Sequence, residues 1–420
     1  MEKHFRAATI HLAVIAKNPF MSDKERILIA GAGPVGLIGA LKLARAGVPV
    51  TLIEPLAAPA EDLRASTFHP PTLDMLEDLG LFDWLAPRGL KSPIFQHRDK
   101  PTGEVFSFNL GLLDGEVRHP YRLQCEQWKL MRHVAGLLAG MPGVELRFGE
   151  RVTAVEQDAK GVRLDTETVE GGAPRKIEGR YLIACDGANS IVRRSLGIEF
   201  EGMTYPEKFY CVTTPFPLEE HFEDLSNVNY VADPRQWFVL LRVPELWRVL
   251  LPVAEAQPDA EIVSDAYTQA CLQNICAKEG DYEVRHRTIY RVHQRVAKQY
   301  REGNIFLAGD AAHINNPLGG MGMNGGVHDV LNLSGKLLAV MGGADEDLLD
   351  LYERQRRAVC YRYVQAQTAR NKAEMEEKGP EARARRLEDM RKLVADPAAT
   401  REFLIRNSML ASLRDAQAIQ

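Results

Sequence analysis

Two acidic residues that each follow a short apolar run, Asp186 and Asp310, are the first candidates for chemistry. A carboxylate at the carboxyl end of a strand lies at the edge where open α/β sheets bind ligands. Asp310 also opens the stretch 309–326, which contains six glycines. Such a bare segment lets backbone N–H groups approach an electron-rich ligand. Two plainer interpretations remain open: each acid could be a helix cap, and the stretch could be a simple strand-to-helix connection.

A second ligand signal lies near the amino terminus, in the order strand, glycine turn, helix, strand, acid. The turn Gly31–Gly36 follows an apolar run, and Glu54 ends the next one. In this pattern the glycines allow a tight turn, contact with a pyrophosphate and close helix packing, while the acid holds ribose hydroxyls. Arg64 follows ten residues later and could clamp a pyrophosphate. The pattern predicts a dinucleotide-binding unit.

The length, net charge and cysteine content limit the classes of protein to which this chain can belong. With 420 residues, the chain exceeds the size at which one core keeps growing, so we expect two or three domains. A net charge of −5 gives no reason to invoke nucleic acid or an anionic membrane, and no apolar segment reaches membrane-spanning length. The six cysteines are scattered without CxxC pairs, which favours reduced thiols in the cytoplasm and no metal site.

The order of the apolar runs predicts an α/β fold: a Rossmann-like nucleotide-binding domain, an inserted β-sheet domain for the substrate, and a C-terminal helical segment. We expect residues 1–21 to form a disordered extension. The predicted domains are residues 22–90, 119–205 and 294–345 for the nucleotide-binding domain, residues 91–118 and 206–293 for the sheet domain, and residues 346–420 for the C-terminal helices.

Four local predictions concern helices. Residues 124–138 and 260–276 are each predicted to form one helix. An amphipathic helix is expected from Val327 onward, after the glycine-rich stretch. The charged run 374–391 is interpreted as a solvated helix face without a binding role.

With these motifs in hand, the chain resembles the single-component flavoprotein aromatic hydroxylases, the para-hydroxybenzoate hydroxylase-like FAD monooxygenases. The resemblance rests on three segments: Gly31–Gly36 with Glu54, CDGANSIVRR at 185–194, and GDAAH…P…G…N at 309–324. Their order and spacing extend it over most of residues 22–370. The motifs are specific for the family and poorly specific for the substrate.

The resemblance implies an FAD site and assigns residues to it. Pro317 would lie beside the flavin ring, and His313 matches a recurrent family position that could be catalytic or satisfied by backbone. Tyr210, Arg235, Gln236, Trp237 and Arg242 are candidate substrate contacts from the inserted sheet, although residues in such positions are more often plain sheet residues than ligand contacts. The implied cofactor contacts are Gly31, Gly33, Pro34, Val35, Gly36, Glu54, Arg64, Gln124, Asp186, Asp310, Gly320, Met321, Gly322, Met323 and Asn324.

The implied reaction uses NADH or NADPH and dioxygen to hydroxylate an electron-rich aromatic compound of the phenol, hydroxybenzoate or hydroxypyridine type. Oxygen would reach the ring through a flavin hydroperoxide, and a base or water relay is needed to remove the phenol proton. The single dinucleotide fingerprint fits a donor that binds without a Rossmann domain of its own. Two rivals remain: a related FAD-dependent reductase or dehydrogenase, and a non-catalytic flavin-binding sensor. The oligomeric state is open, with a homodimer as one option.

Overall fold

The computed structural model describes residues 22–61, 65–377 and 379–420. The predictions for residues 1–21 and for Arg64 lie outside these ranges. The strands are β1 (Ile27–Ala30), β2 (Val50–Glu54), β3 (Thr67–Phe68), β4 (Leu90–Ser92), β5 (Ile94–Asp99), β6 (Val105–Asn109), β7 (Arg122–Gln124), β8 (Val144–Phe148), β9 (Glu150–Asp158), β10 (Gly161–Thr168), β11 (Arg175–Gly179), β12 (Tyr181–Ala184), β13 (Phe200–Thr214), β14 (Val228–Ala232), β15 (Phe238–Val243), β16 (Leu246–Ala254), β17 (His286–Ala297), β18 (Arg301–Glu302), β19 (Ile305–Leu307) and β20 (His313–Ile314).

The helices connect these strands and complete the carboxyl-terminal part. They are α1 (Pro34–Arg45), α2 (Pro70–Asp78), α3 (Phe82–Leu85), α4 (Gln127–Ala139), α5 (Ile191–Ser195), α6 (Asp259–Ile262), α7 (Asp265–Ile275), α8 (Gly322–Met341), α9 (Asp347–Val359), α10 (Ala366–Glu376), α11 (Pro380–Ala395), α12 (Pro397–Asn407) and α13 (Leu410–Ala418). None of these described helices has both the length and the apolarity needed to cross a bilayer.

A six-stranded sheet in the order β18-β19-β12-β1-β2-β8 forms the nucleotide-binding core. The four pairings from β19 to β8 are all parallel, and the short edge strand β18 pairs antiparallel with β19. Every residue of β1 and β12 is buried, as expected for strands covered by helices on both faces. Because parallel strands share one carboxyl edge, this sheet brings the ends of β1, β2, β12 and β19 together.

An eight-stranded sheet in the order β20-β17-β13-β16-β15-β14-β5-β6 forms the second core. One face packs Phe95, Tyr230 and Trp237 against residues of α10 to α13, including Met375 and Leu404. The opposite face packs against α7 in a separate apolar cluster. The predicted α/β fold, with a Rossmann-like domain, an inserted sheet and C-terminal helices, is thereby confirmed. The domain boundaries stay a prediction, although β13 and β17 extend the sheet to residues 200 and 297.

The interpretation of the charged run 374–391 as a solvated helix face is wrong for two of its arginines. Two arginines of α11 make ion pairs with Asp99 at the end of β5: Arg383 Nε donates to Asp99 Oδ1 at 2.9 Å and Arg386 Nη2 to the same oxygen at 3.0 Å. Asp99 is 2% exposed, so both pairs are shielded from water. The two ion pairs hold α11 against the sheet. The prediction failed because Asp99, their buried partner, lies almost 300 residues away in the sequence.

Three predicted helix boundaries are also corrected. Gln124 lies on β7, three residues before α4, because it pairs with Thr67 and Leu90 in a small sheet. The predicted helix 260–276 is interrupted after α6, since the Ser264 hydroxyl accepts a hydrogen bond from the Tyr267 amide and caps α7. The helix after the glycine-rich stretch begins at residue 322 and not at 327.

Candidate active site

The turn at the end of β1 is built to approach a ligand. Gly31 has φ +99°, and a Cβ at this position would lie 2.4 Å from the Cys185 carbonyl oxygen, so no other residue fits. Gly33 precedes α1, where no described side chain caps the helix and a Cβ would meet nothing within 4 Å. The start of α1 therefore borders open space beside Gly33, and the N–H groups of a helix's first turn suit the pyrophosphate of a dinucleotide.

Glu54, at the end of β2, is held beside this turn. Its Oε2 accepts a hydrogen bond from the Ala32 amide at 2.8 Å, and its Oε1 accepts one from the Leu56 amide at 3.0 Å. Each carboxylate oxygen keeps a lone pair for a ribose hydroxyl. This arrangement fits the predicted role at the adenosine half of FAD.

Asp186 adjoins the same turn, since a Cβ on Gly31 would lie 3.0 Å from its Cα. Its Oδ2 accepts hydrogen bonds from the Ile191 amide at 2.8 Å and the Val192 amide at 3.2 Å, so it caps α5 as the plainer interpretation allowed. Its Oδ1 is buried and has no partner within the described part of the chain. Burial raises the pKa of this carboxyl group. A hydroxyl donor from a bound cofactor would satisfy the orphaned oxygen.

Asp310 lies in a short 3-10 turn, 309–311, directly after β19, and its side chain is exposed at the sheet edge. The structure places it next to the first motif, because a Cβ at residue 309 would lie 2.9 Å from Val35 Cγ2. Arg193 of α5 ties the second motif to the same turn by donating to the Ala311 carbonyl at 2.8 Å. The three motifs thus meet at one edge of the parallel sheet.

The far end of the glycine-rich stretch is fixed by Asn324. Its Nδ2 donates to the Thr67 carbonyl at 2.9 Å and to the Gly320 carbonyl at 2.7 Å, while its Oδ1 accepts from the His69 amide at 2.9 Å. Thr67 Oγ1 in turn donates to Gln124 Oε1 at 2.9 Å. Sequence reasoning missed Thr67 and His69, whose short strand and following turn carry no recognisable motif.

Gln124 offers a second group that fits a ligand at this end. Its Nε2 is buried and finds no hydrogen-bond acceptor among the residues that the structure describes. A flavin ring carries carbonyl acceptors that would pair with this donor. Met321 is buried and Met323 half-buried at the start of α8, so the predicted contacts of residues 320–324 with a ring would come from their backbone.

The two predicted catalytic residues lie in contrasting environments. Pro317 is exposed in the stretch between β20 and α8, where it can face a ligand. His313 is 2% exposed, and its Nε2 bonds to the Asp329 carboxylate at 2.7 Å. Although burial disfavours the charged imidazole, Cys360 and Asp329 hold the pKa of His313 well above its usual value. The catalytic role of both residues stays a prediction.

The five predicted substrate residues are not brought together. Trp237 packs edge-on to Phe209, with ring centroids 5.2 Å apart, on the sheet face whose apolar cluster also includes Leu318. Tyr210 lies on the opposite face, where its hydroxyl pairs with Thr268 at 2.7 Å. The other three make surface contacts: Arg242 pairs with Glu219, Arg235 pairs with Asp233 at 3.6 Å, and Gln236 donates to the Pro252 carbonyl at 3.0 Å.

A buried polar group that sequence reasoning missed lies on the same face as Trp237. Arg122 is 2% exposed, its guanidinium carbon lies 4.2 Å from the Phe95 ring centroid, and its Nη1 donates to the Tyr230 hydroxyl at 3.5 Å. His97 stacks on Tyr230, with centroids 5.1 Å apart. Burial, aided by Arg122, lowers the pKa of His97 to about 3, so the imidazole is neutral at physiological pH. In the sequence, Phe95 and His97 stand two residues apart on β5, and this alternation could have indicated a sheet face that mixes aromatic and polar side chains.

A cavity of about 20 Å³, room for a water molecule, lies beside Tyr230 and His97 under α10 and α11. The neighbouring Glu374 carboxyl has its pKa raised by burial. This face therefore combines apolar rings with hydrogen-bonding groups.

A dinucleotide-binding sheet edge, a glycine-rich cradle and an aromatic-lined second sheet together define a flavin-dependent aromatic hydroxylase of the para-hydroxybenzoate hydroxylase-like class. The chain belongs to the family described as FAD binding domain, whose model matches residues 24–367. FAD is therefore the cofactor, with NADH or NADPH as co-substrate, and the protein is an FAD-dependent aromatic monooxygenase, as the sequence predicted.

Relatives support this class over nearly the whole chain. Para-nitrophenol 4-monooxygenase of Pseudomonas sp. is 33% identical over 391 residues, which covers 92% of this chain and 96% of that protein. The 6-hydroxy-3-succinoylpyridine 3-monooxygenase of Pseudomonas putida is 35% identical over 342 residues, covering 80% and 85%. The crystal structure of p-nitrophenol 4-monooxygenase from Pseudomonas putida superposes with a TM-score of 0.85 at 31% identity, covering 91% of this chain and 97% of that one.

Proposed function

We propose that this monooxygenase hydroxylates a small phenol or hydroxypyridine that lies between Pro317 and the face of the eight-stranded sheet carrying Phe95, Tyr230 and Trp237. The observation that carries this proposal is the buried Arg122 beside the Tyr230 hydroxyl. A fixed cation next to a phenol oxygen favours its ionised form, and loss of the hydroxyl proton makes the ring carbons electron-rich. The relatives that act on p-nitrophenol and on a hydroxypyridine agree with this substrate class.

We further propose how the chain holds its cofactor. The first turn of α1 and Glu54 hold the adenosine diphosphate half, Asp310 accepts hydrogen bonds from the ribityl chain, and the backbone of residues 320–324 meets the pyrimidine edge of the ring. Because α8 begins at residue 322, its positive end points at this edge and favours negative charge there. When bound, FAD takes a hydride from NADH or NADPH and activates dioxygen for transfer to the aromatic ring.

The predicted domain division follows from this placement: residues 22–90, 119–205 and 294–345 bind the cofactor, residues 91–118 and 206–293 cover the aromatic substrate, and residues 346–420 close the outer side. We place the enzyme in the cytoplasm, on the basis of six cysteines that are all free in the structure. A homodimer is an additional prediction, which sedimentation of the purified protein would check.

The proposed substrate class is tested by incubating the purified enzyme with NADH or NADPH and a panel of phenols, hydroxybenzoates and hydroxypyridines. We expect one class to stimulate oxidation of the nicotinamide and to yield a product heavier by one oxygen atom. With ¹⁸O₂ the product should contain ¹⁸O and be heavier than the product made with ordinary dioxygen, because the added oxygen atom comes from dioxygen. Stimulated oxidation without a hydroxylated product would instead indicate a reductase or dehydrogenase, and no stimulation by any compound would support a sensor.

A further inference from the structure

A buried cluster of three charged side chains lies behind the glycine-rich stretch, outside the contacts proposed for FAD and substrate. It consists of His313 on β20, Asp329 on α8 and Arg356 on α9, and we call it the charge cluster. The three residues are at most 2% exposed. Burying charged groups this deeply costs solvation free energy, so they need charged or hydrogen-bonding partners inside the protein.

The Asp329 carboxylate is the centre of the charge cluster. Its Oδ1 accepts from Arg356 Nε at 2.6 Å, and its Oδ2 accepts from His313 Nε2 at 2.7 Å. The same Oδ2 also accepts from the Gly309 amide at 3.2 Å. One carboxylate therefore holds the start of the segment that carries Asp310.

Arg356 extends the charge cluster to the other end of that segment. Its Nη2 donates to the Gly325 carbonyl at 3.4 Å, in the first turn of α8. Residues 309 and 325 bracket all the positions from Asp310 to Asn324 that we assign to the cofactor. The spacing between the two halves of the proposed FAD cradle is thus set by one connected set of ionic hydrogen bonds.

The ends that the charge cluster holds also pack on the first motif. A Cβ at residue 326 would lie 2.5 Å from Val35 Cγ2 and 3.0 Å from the Cα of residue 309. The contact leaves no slack, so a small movement of either end would displace Val35 in the first turn of α1.

Ionisation of the groups agrees with this geometry. Burial alone would raise the pKa of Asp329, but His313 and Arg356 hold it well below its usual value. Asp329 is therefore an anion held between two cationic side chains, His313 and Arg356.

We infer that the charge cluster is a positioning device for the cofactor, in which Arg356 and Asp329 fix the distance between the Asp310 turn and the backbone of residues 320–324. The inference rests on the proposed FAD site. It makes His313, Asp329 and Arg356 positioning residues. They act through the glycine-rich segment, and loosening them should weaken FAD binding while leaving the aromatic face of the second sheet unchanged.

The test is the dissociation constant of FAD, measured by fluorescence when apoprotein is reconstituted with FAD, for the wild type, Arg356→Gln and Arg356→Lys. We expect Arg356→Gln to weaken FAD binding at least tenfold and Arg356→Lys to restore part of the loss. Arg354→Gln is the matched control, because Arg354 is exposed on the same helix and donates a hydrogen bond to the Gln420 carbonyl at 3.2 Å, away from the charge cluster. The unfolding temperature of each apoprotein shows whether the fold itself has changed.

A single substitution could leave an uncompensated charge and prevent folding, so the double variant Asp329→Leu with Arg356→Met removes both charges. If it folds, we expect its FAD binding to remain at least tenfold weaker than that of the wild type. Variants that bind FAD within twofold of the wild type, or lose affinity only in step with the unfolding temperature of the apoprotein, would overturn the inference. Failure of the wild-type apoprotein to bind FAD would overturn the proposed function instead.

Discussion

The Ala32 amide donates a 2.8 Å hydrogen bond to the Glu54 carboxylate, which joins the glycine turn after β1 to the end of the neighbouring strand β2. This contact orients Glu54 before any cofactor arrives. It also explains why the acid must stand at the strand end: one residue earlier, its side chain would point into the core, since successive residues of a strand face opposite sides.

Replacing Glu54 with Gln should weaken FAD binding roughly tenfold, because the neutral amide is a poorer acceptor for ribose hydroxyls. Titration of apoprotein with FAD measures this change. Glu145→Gln on the adjacent strand β8 is the control, since Glu145 contacts arginines at the surface and lies outside the proposed cofactor site. Equal affinities for Glu54→Gln and the wild type would argue against a ribose contact.

Two glycines after residue 309 should respond in opposite directions to alanine. Gly320 has φ +65°, and a Cβ there would lie 3.2 Å from Thr67 Cβ, so Gly320→Ala should cost about 1–2 kcal/mol and disturb the cradle. Gly335 lies exposed within α8 with nothing within 4 Å of a Cβ, so Gly335→Ala should stabilise the protein by about 0.5–1 kcal/mol. Thermal unfolding of both variants checks the difference in sign.

Tyr230→Phe should lower kcat/KM for a phenol roughly tenfold or more, because it removes the hydroxyl that joins the buried Arg122 to the substrate face. FAD affinity should not change. Tyr210→Phe is informative beside it: Tyr210 was a candidate from the sequence, but it faces the other side of the sheet, so its kcat/KM should match that of the wild type. If kcat/KM falls more for Tyr210→Phe than for Tyr230→Phe, the substrate binds on the face that carries Tyr210, and the proposed substrate site is wrong.

The ion pairs of Asp99 should be needed for docking of α11. Asp99→Asn leaves Arg383 and Arg386 without their buried carboxylate, which should destabilise the protein by about 2–4 kcal/mol. Limited proteolysis should then cleave near α11 before the rest of the chain unfolds. The exposed pair of Lys298 and Glu199 provides the comparison, and Glu199→Gln should change stability by less than about 0.5 kcal/mol. Similar losses for the two variants would refute the docking role.

Lys336 should make stability rise with pH above neutrality. Burial, with the nearby Arg356, lowers its pKa from 10.5 to about 8 in the folded protein. Between pH 8 and 10.5 the unfolded chain therefore binds more protons at this site than the folded one, so the free energy of unfolding increases with pH. Because Lys336 is partly exposed, the gain should be only about 1–2 kcal/mol.

The variant Lys336→Met isolates this contribution from those of other titrating groups. Chemical denaturation of both proteins at pH 7, 8, 9 and 10 gives the difference in the free energy of unfolding. We expect the free energy of unfolding of the wild type to increase relative to that of Lys336→Met as pH rises. A constant difference across this range would mean that the folded protein leaves the Lys336 pKa unshifted.

The sequence alone determined the parts of this protein that depend on local chemistry. A glycine turn between a strand and a helix has few conformations, so Gly31–Gly36 and Glu54 identified the cofactor class, and the buried runs before Asp186 and Asp310 identified the strands of the parallel sheet. Only the tertiary structure decided which distant groups meet. Arg122 contacts Tyr230, which is 108 residues away in the sequence, and Asp99 contacts Arg383 of α11, which is 284 residues away. Tyr210 lies on the sheet face opposite to that of Tyr230. Long-range pairs of this kind follow from strand order and helix docking, which leave no periodic trace in the chain.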